Sequence, residues 1–256
     1  MVKFESRDPF PLLSLGSFSR TEAQSHAANV DRWLDLNIDD VELLLSKDGS
    51  RRPAPSSSGQ HQQLWFGLDP RDLQTPYVEI RTLLQRYLHP SRVQRVVDLG
   101  AAYARMAFVI ERHFPQAHFL GLEYVGERVL EARRCLERFG ARRSHVEHAD
   151  LTFPRFVLPV ADIYFIYDYG TPAAIEKTLH DLKRVAMHAT AGVPITIVAR
   201  GRVCRYAIEN RHATWLVNAD PTAPECAVSV YKSMSVVVSD IASDIASDIG
   251  RIESSM

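Results

Sequence analysis

Between Arg92 and Tyr231 short apolar runs alternate with amphipathic stretches, and no other feature restricts the possible folds as strongly. The runs Arg95 to Leu99, His118 to Leu122, His145 to His148, Asp162 to Tyr167 and Pro194 to Ala199 have the length of buried strands. Between them, Tyr103 to His113, Gly126 to Phe139 and Pro172 to His188 repeat apolar residues at helical spacing; in the second, Val129, Ala132, Leu136 and Phe139 share one face. Strands joined through helices run parallel. The pattern therefore predicts an α/β fold, a doubly wound and mostly parallel sheet that receives ligands at the carboxyl ends of its strands. Ala227 to Tyr231 reads as a last strand, whereas the stretch after Gly201 has no clear period.

Three segments follow from this. Residues 1–91 form a helical N-terminal extension and lid, residues 92–232 the α/β domain, and residues 233–256 a repetitive tail. One helix is expected within Thr21 to Leu45, and Asp48 to Gln60 (DGSRRPAPSSSGQ) reads as a linker or surface loop. A second helix should start at Thr75 as N-cap with Pro76 at its first position, and stop at His89-Pro90. The tail repeats SDIASDIASDIG from Ser239 to Gly250. As a helix it would line up Ile241, Ile245, Ile249 and Ile252 for a partner or a second copy; the alternative is a frayed terminus, because Ser and Asp are poor interior helix formers.

The 256 residues are 46% hydrophobic, enough for a full core, and the net charge of −1 gives no bulk field toward nucleic acid or an anionic membrane. Cys135, Cys204 and Cys226 form no CxxC pair, so neither a disulfide framework nor a thiolate zinc site is expected. No apolar run has the length of a membrane span and the N-terminus is broken by charges and prolines, which makes a cytoplasmic protein the expectation. His145 and His148 point to opposite faces of a strand, so no metal site is expected there. The hydrolase, zinc-protease and phosphate-loop signatures do not occur.

The chemistry is concentrated in VVDLGAAYAR, Val96 to Arg105, and FLGLEY, Phe119 to Tyr124. One strand ends in Asp98-Leu99-Gly100, a carboxylate followed by a tight turn, and the next ends in Glu123, 25 residues on. One helix fits between them, so both carboxylates should emerge side by side at one sheet edge, where the second can accept both hydroxyls of a ribose. A dinucleotide loop would need glycines at positions occupied by Ala102 and Arg105.

These residues resemble the class I S-adenosylmethionine-dependent methyltransferases, over roughly Arg92 to Tyr231. The resemblance implies a Rossmann-like methyltransferase fold with S-adenosylmethionine as cofactor and S-adenosylhomocysteine as product. It places the cofactor against Asp98, Gly100, Ala101, Ala102 and Arg105 of the first loop, Glu123 and Tyr124 at the ribose, and Asp150-Leu151 at the adenine edge. It places the acceptor near Asp168 and Tyr169, the candidate catalytic residues. Thr75 to Glu79 (TPYVE) is similar to the lid of some protein-lysine methyltransferases, which implies that Tyr77 and Glu79 reach the cofactor's amino and carboxylate groups; a capped helix with a surface glutamate is the alternative. The implied acceptor is a small molecule or a protein side chain.

The sequence departs from the family's D-x-G-x-G-x-G loop at Ala102 and Ala104. An alanine in a left-handed conformation costs about 1–2 kcal/mol, which would weaken cofactor binding about tenfold if the loop needs that backbone there. The alternative function is accordingly a methyltransferase-like fold acting as a binding or assembly module.

Overall fold

The computed structural model describes residues 7–13, 19–47, 74–188, 194–220 and 228–234. The linker and the SDIA repeat lie outside the described residues. Helix α1 (Arg20–Leu34) opens on a capping box in which the Ser19 hydroxyl accepts from the Glu22 N–H while the Glu22 carboxylate accepts from the Ser19 N–H. The single helix expected within Thr21 to Leu45 is two, because Asp35 turns left-handed (φ 59°) and ends α1 before α2 (Ile38–Lys47) begins. Arg134 and Arg138 hold the Asp35 carboxylate at that corner. Such long-range partners leave no trace in local periodicity.

Helix α3 (Tyr77–Tyr87) starts one residue later than expected, with Pro76 rather than Thr75 at the cap position. The Thr75 hydroxyl instead accepts a hydrogen bond from Arg200. From here the chain alternates: β1 (Gln94–Leu99), α4 (Arg105–His113), β2 (Ala117–Glu123), α5 (Gly126–Phe139), β3 (Ser144–His148), β4 (Ile163–Ile166), α6 (Pro172–His188) and β5 (Thr196–Arg200). The stretch that carried no period folds as α7 (Arg202–Arg211) and a short β6 (Leu216–Asn218), followed by β7 (Val228–Ser233).

The seven strands form one sheet in the order β3-β2-β1-β4-β5-β7-β6. Strands β1 to β5 are parallel and β7 runs antiparallel between β5 and β6. This is the doubly wound, Rossmann-like sheet expected from the alternation. The chain reverses direction across the sheet between β1 and β4, and the loops after these strands open a crevice at their carboxyl ends.

Alternate residues of each strand face two separate cores. Val96, Phe119, Val146, Phe165 and Val198 pack under α4, α5 and the N-terminal helices, with Phe10, Val30 and Leu34 in the same core. Val97, Leu99, Leu122, Tyr164, Ile166 and Ile197 pack under α6 and α7 with Trp215 and Tyr231. The N-terminal helices thus share the core of the α/β domain. Among the described residues no helix is long and apolar enough to cross a membrane.

Candidate active site

The register puts Asp98 beside Gly121 and Phe165, one residue short of the end of β1, with the second carboxylate, Glu123, at the end of neighbouring β2. Beyond Leu99 the backbone turns sharply. Gly100 has φ 87°, and the Gly100 and Ala101 N–H groups both donate to the Leu122 carbonyl, at 2.8 and 3.0 Å. Ala102 (φ 48°) and Ala104 (φ 54°) are both left-handed, and Ala104 forms the N-cap of α4.

Glu123 stitches this loop to the turn after β2: one carboxylate oxygen accepts from the Ala102 N–H at 2.8 Å, the other from the Val125 N–H at 2.9 Å. Arg128 stands 3.8 Å away and donates to Glu42 of α2, which also accepts from the Tyr103 hydroxyl inside the loop, both at 2.8 Å. A parallel brace joins α1 to the loop's end. Arg105 makes a bidentate pair with Asp31, donates to the Thr75 carbonyl and lies 5.3 Å over the Tyr77 ring, whose hydroxyl donates to Asp31 at 2.8 Å. All the charges of both networks are buried. Withdrawing one partner of such a pair costs about 3–5 kcal/mol, so the loop's backbone is held from both sides.

That bracing explains why alanine replaces glycine at two left-handed positions. Each left-handed alanine costs about 1–2 kcal/mol. Both methyl groups are buried in the core shared with the N-terminal helices, and burying a methyl contributes about 0.8 kcal/mol. Alanine also leaves the unfolded chain less freedom than glycine, worth about 0.4–1 kcal/mol. The two gains together match the cost. The backbone condition for strain is met, but its expected penalty is offset by packing.

Gln74, Thr75, Ile80, Asp98, Gly100 to Ala102, Arg105, Met106 and Tyr167 to Tyr169 line one cleft at the sheet's carboxyl edge. About 560 Å³ of space lies between its walls, part of it open to solvent. Burial and the negative charge of Glu123 push the Asp98 carboxyl up to about 7, and burial pushes the Tyr167 phenol up to about 12.

The residues singled out from the sequence divide into two groups. Asp98, Gly100, Ala101, Ala102, Arg105, Asp168 and Tyr169 line the cleft together. Glu123 lies directly behind the loop, buried, and Tyr124 beyond it is exposed. Asp150 closes the turn after β3 by accepting from the N–H and hydroxyl of Thr152, and Leu151 is buried beneath. Tyr77 points into the core rather than the cleft, and Glu79 pairs with Arg200 at 3.0 Å. The Asp168 carboxylate accepts from the Val203 and Cys204 N–H groups at the start of α7, at 3.0 and 2.8 Å. It caps α7 from 35 residues away, over Gly201 (φ 100°), where a Cβ would lie 2.3 Å from its carboxyl carbon. The Tyr169 hydroxyl bonds to Thr178 and the Ala174 carbonyl.

Gln74 and Tyr167 escaped the sequence reading. Gln74 precedes the helix in which a motif was visible, and Tyr167 looks like one more apolar residue of a strand. Asp31 carried a usable signal, an acid on the apolar face of α1 between Val30 and Leu34.

A separate cluster, Glu176, His180 and His212, brings three potential metal-ligating side chains within reach of one another. The Trp215 indole, which can only donate, donates to His212 Nδ1 at 2.8 Å. The His212 proton therefore sits on Nε2, 3.0 Å from Glu176, and leaves no lone pair there for a metal.

No family model and no curated protein matches the chain. Solved structures do. The chain is similar to the pyocyanin biosynthetic protein PhzM (13% identity, TM-score 0.47, covering 62% of this chain and 54% of that one). It is similar also to TrmN from Thermus thermophilus (17%, TM-score 0.45, 63% and 49%). A third is an RNA methyltransferase from Salinibacter ruber in complex with S-adenosyl-L-homocysteine (18%, TM-score 0.42, 63% and 93%). The match spans about half the length of the first two. What this chain has in common with them is the fold, defined here by its own sheet order and register.

Proposed function

We propose that the protein is an S-adenosylmethionine-dependent methyltransferase acting on a small molecule or a protein side chain. The observation that carries this reading is the left-handed loop from Gly100 to Ala104, tied to Glu123 and opening beside the Asp98 carboxylate at the sheet's switch point. The donor set fits such a cofactor: a free carboxylate for an ammonium, a second with unused lone pairs for ribose hydroxyls, and polar wall atoms with no protein partner. Glu123 uses two of its roughly four acceptor positions, one on the loop and one on the turn after β2, and keeps the others.

When bound, the cofactor supplies a methyl group already activated by its sulfonium, so the chain's task is positioning rather than proton transfer. Asp98 holds the ammonium, Gly100 to Ala102 bring backbone close to the ligand, and Glu123 takes the ribose. Tyr124, Asp150 and Leu151 border the adenine. Asp168 and Tyr169 shape the acceptor side: Asp168 is locked by α7 and the Tyr169 Cβ rests where any Cβ at Gly100 would go. Ile80 and Met106 make part of the wall apolar and help exclude water. Arg105, neutralised by Asp31, holds the lid to the loop.

Calorimetry with S-adenosylhomocysteine tests the ribose assignment. Glu123→Ala is expected to weaken binding about a hundredfold, the loss of two charge-assisted hydrogen bonds; unchanged affinity would remove Glu123 from the site. The competing reading, a fold kept as a binding module, drew its force from Ala102 and Ala104 and from the repeated tail, which lies outside the described residues. Their buried methyls supply the compensation that a working loop requires.

A further inference from the structure

Four apolar side chains stand exposed in one strip along the amino edge of the sheet, opposite the cleft. Val93 precedes β1, Val160 precedes β4, Pro194 precedes β5 and Met234 follows β7, and these four strands are neighbours in that order. Their ends are aligned: the Asp162 N–H donates to the Arg95 carbonyl, the Thr196 N–H to the Asp162 carbonyl and the Ser233 N–H to the Ile195 carbonyl, at 3.0, 2.9 and 3.0 Å. Val93 is 65% exposed, Val160 52% and Met234 45%, and Pro194 between the last two is exposed as well. Single exposed apolar residues are ordinary, whereas a contiguous row marks a surface that another segment covers. Neighbouring strands lie about 4.8 Å apart, so the row from β1 to β7 is about 14 Å long.

The chain itself supplies a segment of matching length, chemistry and charge. Residues 235–256 follow directly on Met234, at one end of the strip, and lie outside the described residues. Within them Ile241, Ile245, Ile249 and Ile252 recur at spacings that share one face of a helix, over about 16 Å at a rise of about 1.5 Å per residue. The four residues between Met234 and Ser239 reach about 13 Å when extended, enough to set the repeat across the strip. Asp240, Asp244, Asp248 and Glu253 make the segment acidic against the single Arg251, and Arg92 and Lys232 stand exposed at the strip's edge. Asp162, the acid at these strand ends, is held by Arg95. We propose that residues 239–252 dock on this strip within the same chain, with the isoleucines on Val93, Val160, Pro194 and Met234 and the aspartates toward Arg92 and Lys232. Attachment four residues away gives the segment a high effective concentration, so a modest apolar contact suffices. Ser and Asp are poor interior helix formers, so the helix forms only where the strip holds it. The strip lies across the sheet from the cleft, and the proposal therefore goes beyond the methyltransferase reading without depending on it.

Hydrogen exchange of the full chain, read by mass spectrometry, tests the proposal, with light scattering giving the molecular mass of the same sample. In the parent, amides of residues 241–252 are expected to exchange at least about tenfold more slowly than in a free peptide of residues 239–252, at the mass of one chain. Val93→Asp and Val160→Asp, both at exposed positions, should each return the segment to the peptide's rate while exchange in β1 to β5 stays unchanged. Ile245→Asp alters nothing in the described domain and should do the same, so it decides the matter if a strip variant disturbs the sheet. Peptide-like exchange in the parent, or slow exchange that survives these substitutions, would overturn the proposal. Slow exchange found only at the mass of two chains would overturn it as well, because the occupant is then a second copy.

Discussion

Gly100→Ala is expected to abolish cofactor binding and to destabilise the protein by about 2–5 kcal/mol. The residue sits at φ 87°, and an added Cβ would lie 2.6 Å from the Tyr169 Cβ and 3.2 Å from its Cγ. A flexible side chain could swing away, but a Cβ moves only with its backbone. Tyr169 is anchored through its hydroxyl to α6, so relief requires displacing the loop after β4 and with it the cleft wall. The neighbouring exchanges behave oppositely. Ala102→Gly and Ala104→Gly each relieve a left-handed alanine but give up a buried methyl and free the unfolded chain, and the sum lies within about 1 kcal/mol of zero. Urea unfolding of the three variants checks this asymmetry. A strongly stabilised Ala→Gly variant would mean that the loop's strain is not offset by packing, and a near-neutral Gly100→Ala would remove the steric role of Tyr169.

The second large effect is on pH. Burial and the neighbouring Glu123 raise the Asp98 carboxyl to about 7, so below that pH the unliganded protein carries Asp98 protonated. A ligand ammonium pairs only with the ionised form. Binding therefore releases a proton on the acid side, and S-adenosylhomocysteine affinity should fall about tenfold per pH unit below about 7 and level off above it. The stability of the unliganded protein runs the other way: a carboxyl whose folded pKa is raised contributes stability at low pH that is lost as pH rises through the interval from about 4 to about 7. Calorimetry near pH 6 in buffers of different ionisation enthalpy should report close to one proton released per ligand, and none in Asp98→Asn. Affinity independent of pH in the parent would show that Asp98 does not meet the ligand's charge.

Much of the fold was legible because it is written in local periodicity. Helices Gly126 to Phe139 and Pro172 to His188 have the bounds read from spacing, and the placing of Asp98 and Glu123 near the ends of adjacent strands follows from the same pattern. What escaped depends on residues distant in sequence. The break at Asp35 is stabilised by arginines on α5, and α7 is capped by Asp168. The same holds at the site. Motif pointed to Tyr77 and Glu79 as ligand contacts, yet each is engaged by a partner from another element, and Arg105, which does line the cleft, is paired with Asp31. Gln74 was invisible because an unsatisfied polar atom exists only relative to neighbours that folding brings near it.

The central claim is that this cleft binds S-adenosylmethionine. Titration of the full chain with S-adenosylhomocysteine, up to millimolar concentration at a pH above the Asp98 transition, tests it most directly. The account predicts saturable heat with one ligand per chain, weakened in Glu123→Ala; the absence of heat from the intact protein would contradict it.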